Sequence, residues 1–224
     1  MSARADIFAN IRRALHVSGT EQPRRRVVED RLAHAPKGLV PARGQIAGDD
    51  LCALFRAEAE RVAASVSEVA TAEDLPAEIA EQLRRQNLPA RLRMGEDQWL
   101  ADLPWQATNL EIATGASAGQ DFVAVSHAFG AVAESGTLVM VSGRANPTTL
   151  NFLPDMHIAV VRMQDIVGDY ERIWQKLRAT FGKGQMPRAL NFITGPSRTR
   201  DIAQKSLLGV HGPRKLHIVI VREA

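Results

Sequence analysis

The 224-residue sequence predicts an α/β protein, a largely parallel sheet flanked by helices. Three observations lead there. Strand-length apolar runs alternate with segments of helical periodicity, the pattern of parallel strands joined by crossover helices. Two of those runs, Ile158–Val161 and Ile218–Val221, are apolar at every position, as central strands covered on both faces must be. Hydrophobic residues are 45% and charged residues 24%, a globular mixture with ample material for a core, which excludes a wholly disordered chain.

The elements follow in chain order. Residues 2–16 read as an amphipathic helix that Ser2 caps, with Ile7, Phe8, Ile11 and Leu15 on one face; this is the first segment, 1–17. Asp6 and the long chain that follows weigh against a mitochondrial presequence. Residues 18–48 hold Gly, Pro and charge with few large apolar groups. They read as a basic, flexible linker, because little buried surface is on offer to offset the entropy of ordering. The α/β domain then spans 49–224. Asp49 and Asp50 open a helix to about Ala64, Val66–Val69 is a short strand, and Glu73–Gln86 is a helix entered through Pro76. Ala90–Arg93 and Leu110–Ala113 are further strands. Phe122–Ser126, Thr137–Ser142 and His157–Arg162 are apolar runs of strand length. Asp165–Thr180 carries a helical stripe of Ile166, Tyr170, Ile173, Trp174 and Leu177. Leu190–Thr194 is a strand, Ser197–Leu208 a helix and Leu216–Val221 the final strand.

The net charge of +3 is unevenly placed. Residues 1–48 hold nine Lys/Arg against four Asp/Glu, and residues 49–224 hold nineteen against twenty-one. The basic character belongs to the N-terminal arm. Arg24, Arg25 and Arg26 stand without an interleaved aromatic, so no nucleic-acid partner is expected. Cys52 is the one cysteine, which leaves no disulfide framework and no iron–sulfur or zinc site on this chain. No histidine pair has a metal-ligand spacing, so no metal is expected. No apolar run approaches the length of a membrane span, no secretory signal is visible, and the expected location is the cytoplasm.

Three segments carry candidate chemistry. In Thr194-Gly195-Pro196-Ser197-Arg198-Thr199 a strand runs into a Gly-Pro turn and a predicted helix. A helix start beyond the carboxyl end of a strand offers free N–H groups, here joined by two hydroxyls and the Arg198 guanidinium, a set suited to a carboxylate or phosphate. Ser197 also serves as the cap of that helix. In the second segment, His211 and Gly212 lie in a Gly/Pro-rich connection that exposes the imidazole as a proton shuttle, a ligand donor or a structural group. The third, Glu134-Ser135-Gly136-Thr137, places one acid between two apolar strands. Glu134 there is a nucleophile, a base, a partner for Arg198, or a turn acid that accepts backbone hydrogens. Neither a G-x-G-x-x-G fingerprint nor a phosphate-binding G-x-x-x-x-G-K-[ST] loop is present, which disfavours nicotinamide binding and nucleotide hydrolysis.

Together A-E-S-G-T-L at 133–138, L-P-D-M-H at 153–157, T-G-P-S-R-T-R-D-I at 194–202 and G-V-H-G-P-R-K-L-H at 209–217 resemble the lactate utilization protein C family, the LUD domain. Ser135 replaces the threonine of that family's A-E-T-G-T motif and keeps its hydroxyl. The resemblance implies the fold shared by glucosamine-6-phosphate deaminase, ribose-5-phosphate isomerase and class I CoA transferases. It implies a part in oxidising L-lactate to pyruvate beside two separate iron–sulfur partner proteins; with one cysteine and no dinucleotide fingerprint, no cofactor is expected on this chain. Glu134-Ser135-Gly136 is similar to the Glu-Asn-Gly setting of a CoA transferase nucleophile. Three roles follow: an accessory or regulatory subunit with a pocket for a small organic anion, a stand-alone transferase or isomerase that uses Glu134, and a structural partner-binding module.

Overall fold

The structure is a computed structural model that describes residues 2–202, 205–208 and 211–223, with backbone alone for 199–202 and 205–208. The chain divides into two units, one up to Leu39 and one from Val40 onward.

The first unit holds helices α1 (Ala3–Ala14) and α2 (Gln22–His34). Ser2 caps α1, its hydroxyl accepting the Ala5 N–H at 3.4 Å. Between the helices the Glu21 carboxylate accepts hydrogen bonds from the Ser18 backbone N–H and hydroxyl, which hold its pKa down to about 2. Helix α2 lies where the sequence predicts a flexible linker. Pro23 stands in its first turn, and the run Arg24–His34 has neither Gly nor Pro but several good helix formers. Neither helix has a buried residue.

The second unit is built on a six-stranded, wholly parallel sheet. Its strands are β1 (Ser65–Thr71), β2 (Arg91–Met94), β3 (Glu111–Thr114), β4 (Val123–His127), β7 (Met156–Arg162) and β12 (Lys215–Glu223), in the order β1-β12-β7-β4-β2-β3. A second sheet of four strands holds β5 (Gly130–Val132), β6 (Thr137–Val141), β8 (Ile166–Val167) and β9 (Leu190–Ile193), in the order β8-β5-β6-β9.

Side-chain alternation along the central strands sends their apolar groups to two cores. Val125, Val160 and Val219 face α4 (Leu75–Arg85) and the short α5 (Gln98–Ala101), packing with Leu75, Ile79 and Leu100. Ala159, Val161, Ile218 and Ile220 face α3 (Gly48–Arg61) and the second sheet, packing with Phe55, Leu138 and Met140. Phe55 is fully buried, which contributes about 1.5–3 kcal/mol. Helix α7 (Tyr170–Phe181) covers the far side of the second sheet through Ile173 and Leu177. A short α6 (Thr148–Phe152) leads into β7. Among the described residues no helix is long and apolar enough to cross a membrane.

Two sequence expectations are corrected. The predicted helix Ser197–Leu208 is an antiparallel pair, β10 (Arg198–Ile202) with β11 (Lys205–Leu208). Its β-branched Thr199 and Ile202 suit a strand, and a short segment with few apolar residues has no period to arbitrate. The helix expected from Asp165 begins at Tyr170, after a single turn and β8; Asp169 caps it by accepting the Arg172 N–H at 3.1 Å. Strand β5, unread in the sequence, pairs with β6.

Candidate functional site

Most of the predicted residues gather around one cleft and one turn behind it, and Arg198 and Thr199 are not among the cleft's lining. The cleft, about 220 Å³, is lined by Thr194, Gly195, Pro196 and Ser197 on one side and His211, Gly212 and Pro213 on the other. The Ser197 N–H donates to the Pro213 carbonyl at 2.9 Å, which ties the two segments together. Gly195 has φ +78°, and a Cβ there would overlap the Val62 carbonyl oxygen, so the turn after β9 is open only to glycine.

The location differs from expectation. His157 is the second residue of β7, and Pro213 precedes β12, so the cleft stands at the amino ends of these parallel strands, not beyond their carboxyl ends. With a strand at 198–202, the helix N-terminus expected there is not formed among the described residues. Arg198 is exposed and donates to the Val62 carbonyl at 3.1 Å, outside the cleft lining. The side chain of Thr199 lies outside the described residues.

Two cleft residues were passed over by sequence reasoning. His157 is fully buried, and neither ring nitrogen has a partner among the described residues. Burial alone pushes its pKa down to about 4, so the ring is neutral near pH 7. Asn151 of α6 is also buried; its Oδ1 accepts from Ser126 Oγ at 3.4 Å, and its Nδ2 has no partner among the described residues. Buried polar groups are nearly always paired, so two orphaned side chains on one cleft are consistent with a polar ligand. His157 closes the L-P-D-M-H motif, but at the start of an apolar strand it reads as structural. His217 is structural in that sense: its ring nitrogens meet Ser65 Oγ at 2.8 Å and Ser67 Oγ at 3.1 Å.

Glu134, Ser135 and Gly136 form the tight turn from β5 to β6, and Thr137 opens β6. The turn reaches the cleft through hydroxyls: Ser135 to Tyr170 at 2.9 Å, Tyr170 to Thr137 at 3.0 Å, Thr137 to Thr194 at 2.8 Å. Glu134 is buried, and its Oε2 has no partner among the described residues. Burial, then the Asp169 charge, push its carboxyl above the usual range, against a hydrogen bond from the Tyr170 backbone and the Arg43 charge. Arg43 donates to the Glu134 backbone carbonyl. Among the described residues, no group of three or more His, Cys, Asp or Glu is placed to hold a metal ion.

The fold and cleft define the class, an α/β protein in which a parallel sheet backed by a smaller mixed sheet carries a small cleft. The chain belongs to the LUD domain family, which it matches over residues 52–221. It is 34% identical over 124 residues to "Lactate utilization protein C" of Geobacillus sp. (strain WCH70), which covers 53% of this chain and 49% of that one. To the protein of the same name from Bacillus subtilis (strain 168) it is 31% identical over 130 residues, covering 58% and 52%. The chain thus spans about half the length of the curated relatives it matches. A crystal structure of a DUF162 family protein from Deinococcus radiodurans superposes with a TM-score of 0.59 at 21% identity, covering 79% of this chain and 99% of that one; this likeness concerns the fold.

Proposed function

We propose that this chain serves lactate utilization as a subunit without redox chemistry of its own, binding a small organic anion in the cleft of His157 and Asn151 while iron–sulfur partner proteins accept the electrons. One observation carries the reading. Three motifs of the family resemblance, ending in His157, running through Thr194–Ser197 and containing His211–Pro213, converge on a cleft where buried polar groups lack partners among the described residues. A neutral imidazole, the Asn151 amide and the Ser197 hydroxyl offer donors to a carboxylate and exclude a second full charge. Oxidising a 2-hydroxy acid moves two electrons, and a chain with one cysteine has no ligand set for a cluster to take them.

Titration calorimetry with L-lactate, pyruvate and their homologues tests the cleft. An acid present at about 100 times its Kd stabilises the protein by about 2.7 kcal/mol. Asn151→Ala and Ser197→Ala are expected to weaken that acid, and unchanged affinity in both removes the cleft from the reading. Deletion of the chain is expected to impair growth on L-lactate, and the isolated protein is expected to reduce no dye with lactate.

A second reading, transfer of an acyl group through Glu134, draws on the buried carboxylate oxygen that has no partner among the described residues. Mass spectrometry after exposure to acyl-CoAs separates the two: an acyl–Glu134 adduct favours transfer, and its absence across a panel favours the accessory role.

A further inference from the structure

The strand order β1-β12-β7-β4-β2-β3 changes direction once. The chain leaving β2 goes outward to its neighbour β3, and the chain leaving β4 goes to β7 on the opposite side. The two connections part at the carboxyl ends of β2 and β4, the place where open parallel sheets bind ligands. Asp97, just past β2, and His127, the last residue of β4, meet there with Asp97 Oδ2 3.5 Å from His127 Nδ1. They line a cleft of about 370 Å³ together with Phe129, Asn146, Arg162 and Lys176.

Its polar groups are incompletely paired. His127 Nε2 and Asn146 Oδ1 are buried with no partner among the described residues. Asp165 accepts Arg162 Nε at 2.6 Å and Lys176 Nζ at 2.5 Å, so one carboxylate serves two cations. The terminal nitrogens of Arg162 make no hydrogen bond among the described residues, and its guanidinium sits 5.9 Å from the centre of the Trp99 ring. Trp99 in turn lies against His127, ring centroids 4.4 Å apart, and fixes the imidazole plane. At the rim Arg144 pairs with Glu96 at 2.8 Å, and the Glu96 N–H donates to the Arg144 carbonyl at 2.9 Å, which pins the loop that carries Asn146.

Asp97 is itself oriented. Its Oδ1 accepts the Leu100 N–H at 3.0 Å, leaving Oδ2 for the imidazole. Burial raises its carboxyl pKa, but the nearby His127 ring and the Leu100 N–H outweigh burial and hold it below the usual range. A carboxylate at Nδ1 keeps the imidazole proton there and leaves the lone pair on Nε2.

We propose that this second cleft binds a small carboxylic acid bearing a hydroxyl or amino group, its carboxylate on the terminal nitrogens of Arg162 beside Lys176 and its O–H or N–H on His127 Nε2. Arg162 offers the planar pair of donors a carboxylate takes end-on. His127, oriented by Asp97, is the acceptor that an acid without a second polar group leaves empty, and an unfilled buried acceptor is what discriminates between such ligands. The site stands at the opposite end of the sheet from the His157 cleft, and the inference does not rest on the lactate reading.

The probes are glycolate and acetate, which differ by one hydroxyl. Both are titrated into the full chain while the emission of Trp99 is followed, with Trp99→Phe to assign the signal. Glycolate is expected to bind roughly tenfold more tightly than acetate. Asp97→Asn and Arg162→Gln are each expected to weaken glycolate by roughly tenfold, with circular dichroism unchanged, and His127→Gln to abolish the preference over acetate. Equal affinity for the two acids, no response to millimolar glycolate, or a response indifferent to Asp97→Asn and Arg162→Gln would overturn the proposal. A response lost instead in Asn151→Ala places glycolate in the other cleft, and overturns this inference while leaving the first reading standing.

Discussion

The hydroxyl of Thr137 lies 2.8 Å from that of Thr194, a contact that joins the Glu134 turn to the cleft. Thr137 opens β6, and Thr194 follows the last residue of β9; the antiparallel pairing of those strands sets Leu138 opposite Ile193 and so brings the threonines together. Thr137 has no exposed surface and bonds Ser135 and Tyr170 as well.

Thr137→Val is therefore expected to cost about 1–2 kcal/mol, because three neighbouring hydroxyls lose a partner and little shape changes. Thr194→Val should cost less, since Thr194 is at the exposed edge. The double variant is expected to fall short of the sum by about 0.5–1 kcal/mol in urea unfolding, and strict additivity would refute a shared network.

Glu134→Gln is expected to stabilise the protein at neutral pH. The folded state holds the Glu134 proton at higher pH than the unfolded chain does, with burial as the first cause. Stability from this group is thus present at low pH and lost as pH rises from the unfolded value, near 4.3, through the raised one. Glutamine does not titrate, so the variant's advantage should grow from pH 5 to pH 8 in thermal unfolding. An advantage that shrinks with pH contradicts this assignment.

His157 works in the opposite direction. Its folded pKa, about 4, lies below the value near 6.5 of an unfolded chain. The unfolded state binds more protons between those values, so stability is full above pH 6.5 and falls as pH drops toward 4. One such histidine accounts for roughly 2 kcal/mol between pH 7 and pH 5. His217, also lowered to about 4 by burial, adds a similar share. Parent and His157→Met proteins, unfolded in urea at both pH values, should differ in this loss by roughly 2 kcal/mol. Equal losses would show that His157 is already solvated.

Cys52 is expected to be inert in the folded protein. It is 3% exposed on α3 beside Phe55 and Ala59, and burial, then the Glu68 charge, push its thiol pKa up. A thiol reagent should label it more slowly than in the unfolded chain by a factor on the order of 10³ or more, at the rate of global opening. Rapid labelling would mean that α3 leaves the sheet on its own.

Local pattern alone determined a good part of this protein. The strands Ile158–Val161 and Ile218–Val221, the amphipathic α3 and α4 and the Gly-Pro turn at 195–196 follow from periodicity and backbone preference, which are properties of neighbours in the chain. So does the gathering of Thr194–Ser197 with His211–Pro213, since each flanks a readable strand. Only the tertiary structure decided which end of the sheet the cleft occupies, that β10 pairs with β11 as antiparallel strands, and that Arg198 turns to Val62. It also decided that His157 has no partner among the described residues while His217 keeps two serines, though both lie near the start of apolar strands. Asp97 and His127 carry no motif and meet because β2 and β4 pair side by side. Burial and partnership are sums over residues distant in sequence, so a histidine's chemistry depends on which strands the sheet order sets beside it, and no window of sequence contains that order.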